Sequence, residues 1–193
     1  MELVQPIRDS SKIDEMVDDL RSHSLRDAAL FLLGINSGLR VSDLIKLNCA
    51  DVMETRTRTK MRIRLREKKT GKGKDFPLAD AAKEAILEYL STRKGWKMEE
   101  PLFMSRKDHG HLQRAQVLRI LSGAAKRVGI ADSIGTHSMR KTFGYMAHQS
   151  GYDITVIQKL LNHSSPAITL AYIGITQDQL DDVYTSLNLG GRR

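Results

Sequence analysis

The chain has 193 residues and a mass of 21.7 kDa, enough for one well-cored domain with at most a small appendage. Its 31 Lys and Arg against 23 Asp and Glu leave a net charge of +8 and a pI near 9.7, which points to a polyanionic partner, nucleic acid before an anionic membrane surface. No apolar run of membrane-spanning length and no basic-then-apolar leader appears, and a single cysteine, Cys49, excludes an internal disulfide. A reduced, intracellular setting is expected, with Cys49 as a small buried apolar residue.

Ile13, Met16, Val17 and Leu20 recur at helical spacing, so a helix is expected over residues 11–22, with Ser10 or Ser11 placed to cap it. A second, very apolar helix follows from about Leu25 to Asn36 and stops at Gly38. The stretch S-G-L-R-V-S-D-L-I-K-L then predicts a short helix with Arg40 at its start and Asp43 one turn later.

From residue 56 the period changes. Arg56, Arg58, Lys60, Arg62, Arg64, Arg66 and Lys68 alternate with Thr57, Thr59, Met61, Ile63 and Leu65. A period of two predicts a strand with one basic face and one face toward the core. Turn chemistry at Gly71 and Gly73 and a closing Phe76-Pro77-Leu78 predict a hairpin. Ten Lys and Arg lie between Arg56 and Lys74 against one acid, Glu67. Such one-signed charge suits contact with a phosphate backbone, with Lys72 and Lys74 counted alongside the outward row.

Amphipathic helices are expected over residues 79–94 and from about Gln113 to Val128. Between them, Asp108-His109-Gly110-His111 reads as a solvated loop in preference to a metal tract. Thr136 is placed to cap a helix from His137 to about Gln149, which Ser150-Gly151 ends. A helix over 153–161 follows, then one capped by Ser164 or Ser165, opened by Pro166 and stopped at Gly174. Residues 176–187 predict a last amphipathic helix bearing Leu180, Val183 and Leu187.

Candidate chemistry concentrates in residues 136–174. His137 and Arg140 are three apart on one helix, so both can reach one oxyanion. Arg140 and Arg40 would offer forked donors to the non-bridging oxygens of a phosphodiester, and Asp43 is placed to buttress one of them. Tyr172 is the nucleophile candidate, a weak one unless positive charge or a base lies nearby. Nothing local separates it from Tyr89, Tyr145, Tyr152 and Tyr184, and His163 alone reads equally as a packing histidine.

The blocks S-G-L-R-V-S-D-L-I-K-L, H-S-M-R-K-T-F-G and L-N-H-S-S-P-A-I-T-L-A-Y resemble the motifs of the tyrosine recombinase (phage-type integrase) catalytic domain. The resemblance runs from about residue 10 to 187, with the blocks in family order. It implies an α+β, mainly helical fold with a small antiparallel sheet. It implies a site-specific recombinase or integrase that cleaves and rejoins double-stranded DNA through a 3′-phosphotyrosyl ester at Tyr172. Arg40 and Arg140 match the arginines on the scissile phosphate, His137 the proton-transfer histidine, and His163 the second phosphate-binding histidine. Lys69 resembles the hairpin lysine that protonates the 5′-oxygen, with Lys72 as the alternative. No cofactor or metal is expected, because the bond energy is kept in the tyrosyl ester.

Lys141 stands where the family often has histidine, and Asn162 where glycine is usual. The resemblance further implies one catalytic domain over 1–193 without the family's N-terminal core-binding domain, and a cytoplasmic, prokaryotic or phage-encoded protein. It implies a tetrameric synapse on DNA with the last helix docked in trans. A type IB topoisomerase and a non-catalytic DNA-binding regulator are the alternatives.

Overall fold

The structure, a computed structural model, describes residues 4–69, 71–175 and 186. Helices α1 (Ser10–His23) and α2 (Leu25–Ser37) are followed by two single-turn helices, α3 (Val41–Leu44) and α4 (Cys49–Val52). The hairpin β1 (Arg62–Arg66) and β2 (Gly73–Pro77) comes next, then α5 (Asp80–Ser91) and α6 (Arg114–Arg127). The site-bearing helices α7 (Ser138–Gln149), α8 (Ile154–Leu160) and α9 (Pro166–Ile173) close the described chain. The expected mainly helical fold with a small antiparallel sheet is what forms.

Helix α2 is the axis of the core. Leu30, Phe31 and Leu33 are buried on it, and it packs against α1, α5 and α7. No face of α2 is left for water, which explains why its sequence is apolar nearly all round. Its approach to α7 is close enough that a Cβ on Gly34 would meet the Met139 sulfur. Gly38 ends α2 at φ 58°, a left-handed conformation that glycine adopts without steric cost, and Phe143 packs over it. A second, smaller apolar cluster of Tyr145, Ile157, Leu161 and Ile173 joins α7, α8 and α9. Cys49 lies buried, as expected.

Several local expectations change. The cap of α1 is Asp9, whose Oδ1 accepts the Ser11 amide at 2.8 Å; Ser11 itself lies within the first turn. Helix α7 starts at Ser138 with His137 in the cap position, while the Thr136 hydroxyl accepts Arg114 Nε at 3.3 Å. The strand expected over 56–68 is ordered as β1 only from Arg62 to Arg66. Upstream, the amides of Glu54 and Thr55 both bond the Arg58 carbonyl, at 2.9 and 3.1 Å. That turn consumes residues 54–58 and leaves Met61 72% exposed, off the core.

The hairpin register decides which cations face out. Ile63 pairs with Phe76 and Leu65 with Lys74, so directly opposed residues share the inner face. Arg62, Arg64 and Arg66 are exposed on the other side. Lys74 therefore belongs to the inner face, contrary to its grouping with the outward row. Of the helix expected over 176–187, only Ser186 is among the described residues.

Candidate active site

Arg40 precedes α3 in extended backbone, two residues after the left-handed Gly38 turn. Arg140 sits in the first turn of α7, only 2% exposed. Its two terminal nitrogens donate to the carbonyls of Gly38 and Leu161. One guanidinium thus ties the turn before Arg40 to the segment before His163. Burying a charge without partners would be costly; here two backbone dipoles hold it.

A carboxylate completes the arrangement, and it is not Asp43. Asp43 is buried, and its Oδ1 accepts the Lys68 amide at 2.9 Å, so it anchors the hairpin. The arginines meet Glu67 instead. Glu67 Oε2 lies 2.7 Å from Arg40 Nη1, and Oε1 lies 3.9 Å from Arg140 Nη1. Asn162 Nδ2 donates to the same Oε2 at 3.1 Å. Sequence reasoning missed Glu67, although it is the one acid in the basic run and falls on the inward parity of β1.

Tyr172 is presented by α9. Ser165 caps that helix, Pro166 opens it and Gly174 ends it at φ 83°, as expected from the sequence. The Tyr172 hydroxyl lies 3.4 Å from His137 Nδ1. His163 meets the same phenol edge-on, with ring centroids 4.8 Å apart, while its Nδ1 bonds Thr169 Oγ1 at 3.1 Å. That bond turns the other ring nitrogen, Nε2, away from Thr169. Lys141, buried, places its ammonium 5.4 Å above the Tyr172 ring.

Charge and burial set the protonation of these groups. Burial lowers the His137 pKa, and Arg114, Arg140, Lys141 and Arg40 lower it further. Burial likewise lowers His163, helped by Arg140 and Arg40. Both rings are therefore neutral at neutral pH, and a neutral imidazole can accept a proton. Burial raises the Tyr172 pKa, while Arg140 and Arg40 pull it down. The phenol is held protonated until a base removes its proton.

The hairpin lysines separate by position. Lys69 and Lys72 are exposed at the turn. Lys74 turns inward, donating to the Ser37 carbonyl at 2.9 Å, and burial with the nearby Arg140 lowers its pKa to about 8. The outward cations are partly occupied by the chain itself. Asp75 pairs with Arg62 at 2.7 Å and Arg64 at 3.1 Å. Arg58 pairs with Glu54 at 2.9 Å, Arg56 lies over Trp96 at 5.5 Å, and Lys60 bonds the Ala50 carbonyl at 2.6 Å. Arg66 and Lys68 are exposed at the strand end. In the Asp108–His111 loop, His111 Nδ1 bonds the Ile45 carbonyl at 2.9 Å.

Tyr172, His137, His163, Arg40 and Arg140 thus converge from α3, α7, α9 and the segment between α8 and α9. The arrangement sets a phenol against an imidazole with two guanidiniums beside them, groups that can serve attack on a phosphodiester.

The phage integrase family model matches residues 8–178. A probable integrase/recombinase of Bacillus subtilis, YoeC, is 41% identical over 184 residues, covering 95% of this chain and 97% of that protein. Tyrosine recombinase XerC of Thermodesulfovibrio yellowstonii is 32% identical over 188 residues, which is 92% of this chain but 60% of that one. Among solved structures, XerA recombinase superposes with a TM-score of 0.75 at 24% identity over 98% of this chain and 65% of that one. XerH bound to palindromic difH gives the same score at 17% identity, over 96% and 53%. At these identities the two structures establish the shared fold.

Proposed function

The chain belongs to the phage integrase family of tyrosine recombinases, and on that premise we propose that it cleaves and rejoins duplex DNA at a specific site. The observation that carries the reading is the His137–Tyr172 contact of 3.4 Å beside Arg40 and the buried Arg140.

Tyr172 Oη attacks the scissile phosphorus as His137 Nδ1 takes the phenol proton. The bond from phosphorus to the 5′-oxygen breaks, leaving a 3′-phosphotyrosyl ester. The departing 5′-oxygen takes its proton from Lys69, which sits at the exposed turn where a docking duplex meets the hairpin. Arg40 and Arg140 stabilise the charge that develops on the non-bridging oxygens, with His163 binding the phosphate beside them. Rejoining reverses each step: a 5′-hydroxyl attacks the ester, and Tyr172 recovers its proton. The reaction conserves bond energy in the ester, so the reading requires no nucleotide cofactor or metal.

Residues 1–193 act in this reading as a catalytic domain that meets DNA through Arg66, Lys68, Lys72 and the outward hairpin arginines. Copies of the chain assemble on DNA, as a tetrameric synapse with residues 176–187 docked in trans. The work is done on chromosomal or phage DNA in the cytoplasm.

Nicked duplexes drawn from a randomised library test the reading, because a nick lets the cleaved end diffuse away and traps the ester. A detergent-stable adduct with the wild type, absent with Tyr172→Phe, supports it. No adduct from either protein on any bound duplex would sink the nucleophile assignment. Relaxation of supercoiled DNA without site preference or strand exchange would replace recombination by a topoisomerase activity.

A further inference from the structure

We propose that Glu67 positions the two arginines for the scissile phosphate, and that Asn162 holds Glu67 in turn. The proposal rests on Arg40 and Arg140 being the phosphate clamp described above.

Glu67 is an acid where the surrounding sequence is uniformly basic, and its side chain is fully buried. A buried carboxylate is retained only when partners offset the loss of water. Three segments far apart in sequence supply them: Arg40 before α3, Arg140 on α7, and Asn162 ahead of His163. The Glu67 backbone is engaged as well. Its amide bonds the Lys72 carbonyl at 2.9 Å, and its carbonyl accepts the Gly71 amide at 2.8 Å. The residue that meets both arginines therefore also closes the turn carrying Lys69.

The physical need is mutual repulsion. Burial and then Arg40 lower the Arg140 pKa, whereas Tyr172 and Glu67 raise it. Without the carboxylate, two guanidiniums and the Lys74 ammonium would share a poorly solvated space. With it, the arginines keep their charge and a fixed direction before a phosphate arrives. Lying fully buried, Glu67 is not on the solvent side from which a phosphate must enter.

Asn162 sits at φ 50°, a left-handed conformation that asparagine tolerates better than most residues. Glycine, the usual residue there in the resembled motif, satisfies the backbone but has no side chain to bond Glu67. The Asn162 amide thus links the hairpin to the His163 segment, 95 residues away in sequence.

Three proteins and two substrates test the proposal: wild type, Glu67→Gln and Asn162→Gly, on a nicked duplex enriched by covalent capture. The second substrate carries a methylphosphonate at the scissile position. It lacks the anionic oxygen that the arginines serve. On the phosphodiester, Glu67→Gln is expected to slow adduct formation by about 10- to 100-fold with duplex binding retained, by analogy with loss of the residue that orients a metal ligand. On the methylphosphonate that defect shrinks toward unity. Asn162→Gly repeats the pattern with a smaller loss, and it decides the matter if Glu67→Gln does not fold.

Wild-type rates in the variants, or equal slowing on both substrates, would overturn the proposal while the clamp reading stands. Absence of any wild-type adduct would overturn both.

Discussion

His137 and Tyr172 are 35 residues apart in sequence, yet His137 Nδ1 lies 3.4 Å from the Tyr172 hydroxyl. The contact forms because His137 occupies the cap position of α7 while α9 packs on that same helix. A histidine at a helix start and a tyrosine near a helix end are joined by helix packing.

The acid limb of the cleavage rate follows from that contact. Only neutral His137 accepts the phenol proton, so the rate falls as pH drops through the His137 pKa. Burial and the surrounding cations place that pKa below its ordinary value of 6.5, which keeps the rate level down to pH values below it. Arg114 is the largest charge contribution, and removing a cation makes protonation easier. Arg114→Ala should therefore move the acid inflection upward, measured as single-turnover adduct formation at saturating protein. An inflection that stays put would remove His137 as the base.

Lys69 and Lys74 are separated by the leaving group. With sulfur replacing the bridging 5′-oxygen, the departing thiolate needs no proton. Lys69→Ala should slow ordinary cleavage by about 10²- to 10⁴-fold, the usual range for a general acid, and recover on the sulfur substrate. Lys74→Ala should lose rate without that recovery, because its ammonium is engaged by the Ser37 carbonyl. Recovery by Lys74→Ala alone would exchange the two roles.

Gly144 sets the spacing between α7 and α9. A Cβ there would lie 2.7 Å from Ile173 Cγ2 and 3.1 Å from Leu161 Cδ1. Gly144→Ala should cost about 1–3 kcal/mol in thermal or denaturant unfolding, the range for overpacking a core. It should also slow cleavage beyond what the unfolded fraction explains, because Tyr172 shares α9 with Ile173. Full activity with unchanged stability would show that the helices can part without moving the nucleophile.

Asp75 restrains the outward face of the hairpin through Arg62 and Arg64. Asp75→Asn should release both guanidiniums for backbone phosphates. Duplex affinity should rise, and the slope of log K against log salt should steepen by roughly 0.9 for each further phosphate neutralised. Mobility shifts across a salt series measure it, and an unchanged slope would take these arginines out of the DNA interface.

Helix periodicity, the stops at Gly38 and Gly174 and the Pro166 start were all legible from residue order, because each reflects local backbone preference. So was the set Arg40, His137, Arg140, His163 and Tyr172, although only the joint motif singled out Tyr172 among five tyrosines. The extent of β1 was not legible, since an upstream turn at residues 54–58 competes with the strand for the same backbone groups.

Residue order by itself determined a basic, mainly helical chain carrying a candidate tyrosine, two histidines and two arginines in separate segments. Only tertiary structure decided what surrounds them: that Glu67 rather than Asp43 meets the arginines, that Lys74 faces inward, and that Lys141 lies over Tyr172. The reason is physical. Backbone preference acts over a few residues, whereas the partner of a buried charge is chosen by hairpin register and helix packing across the whole chain.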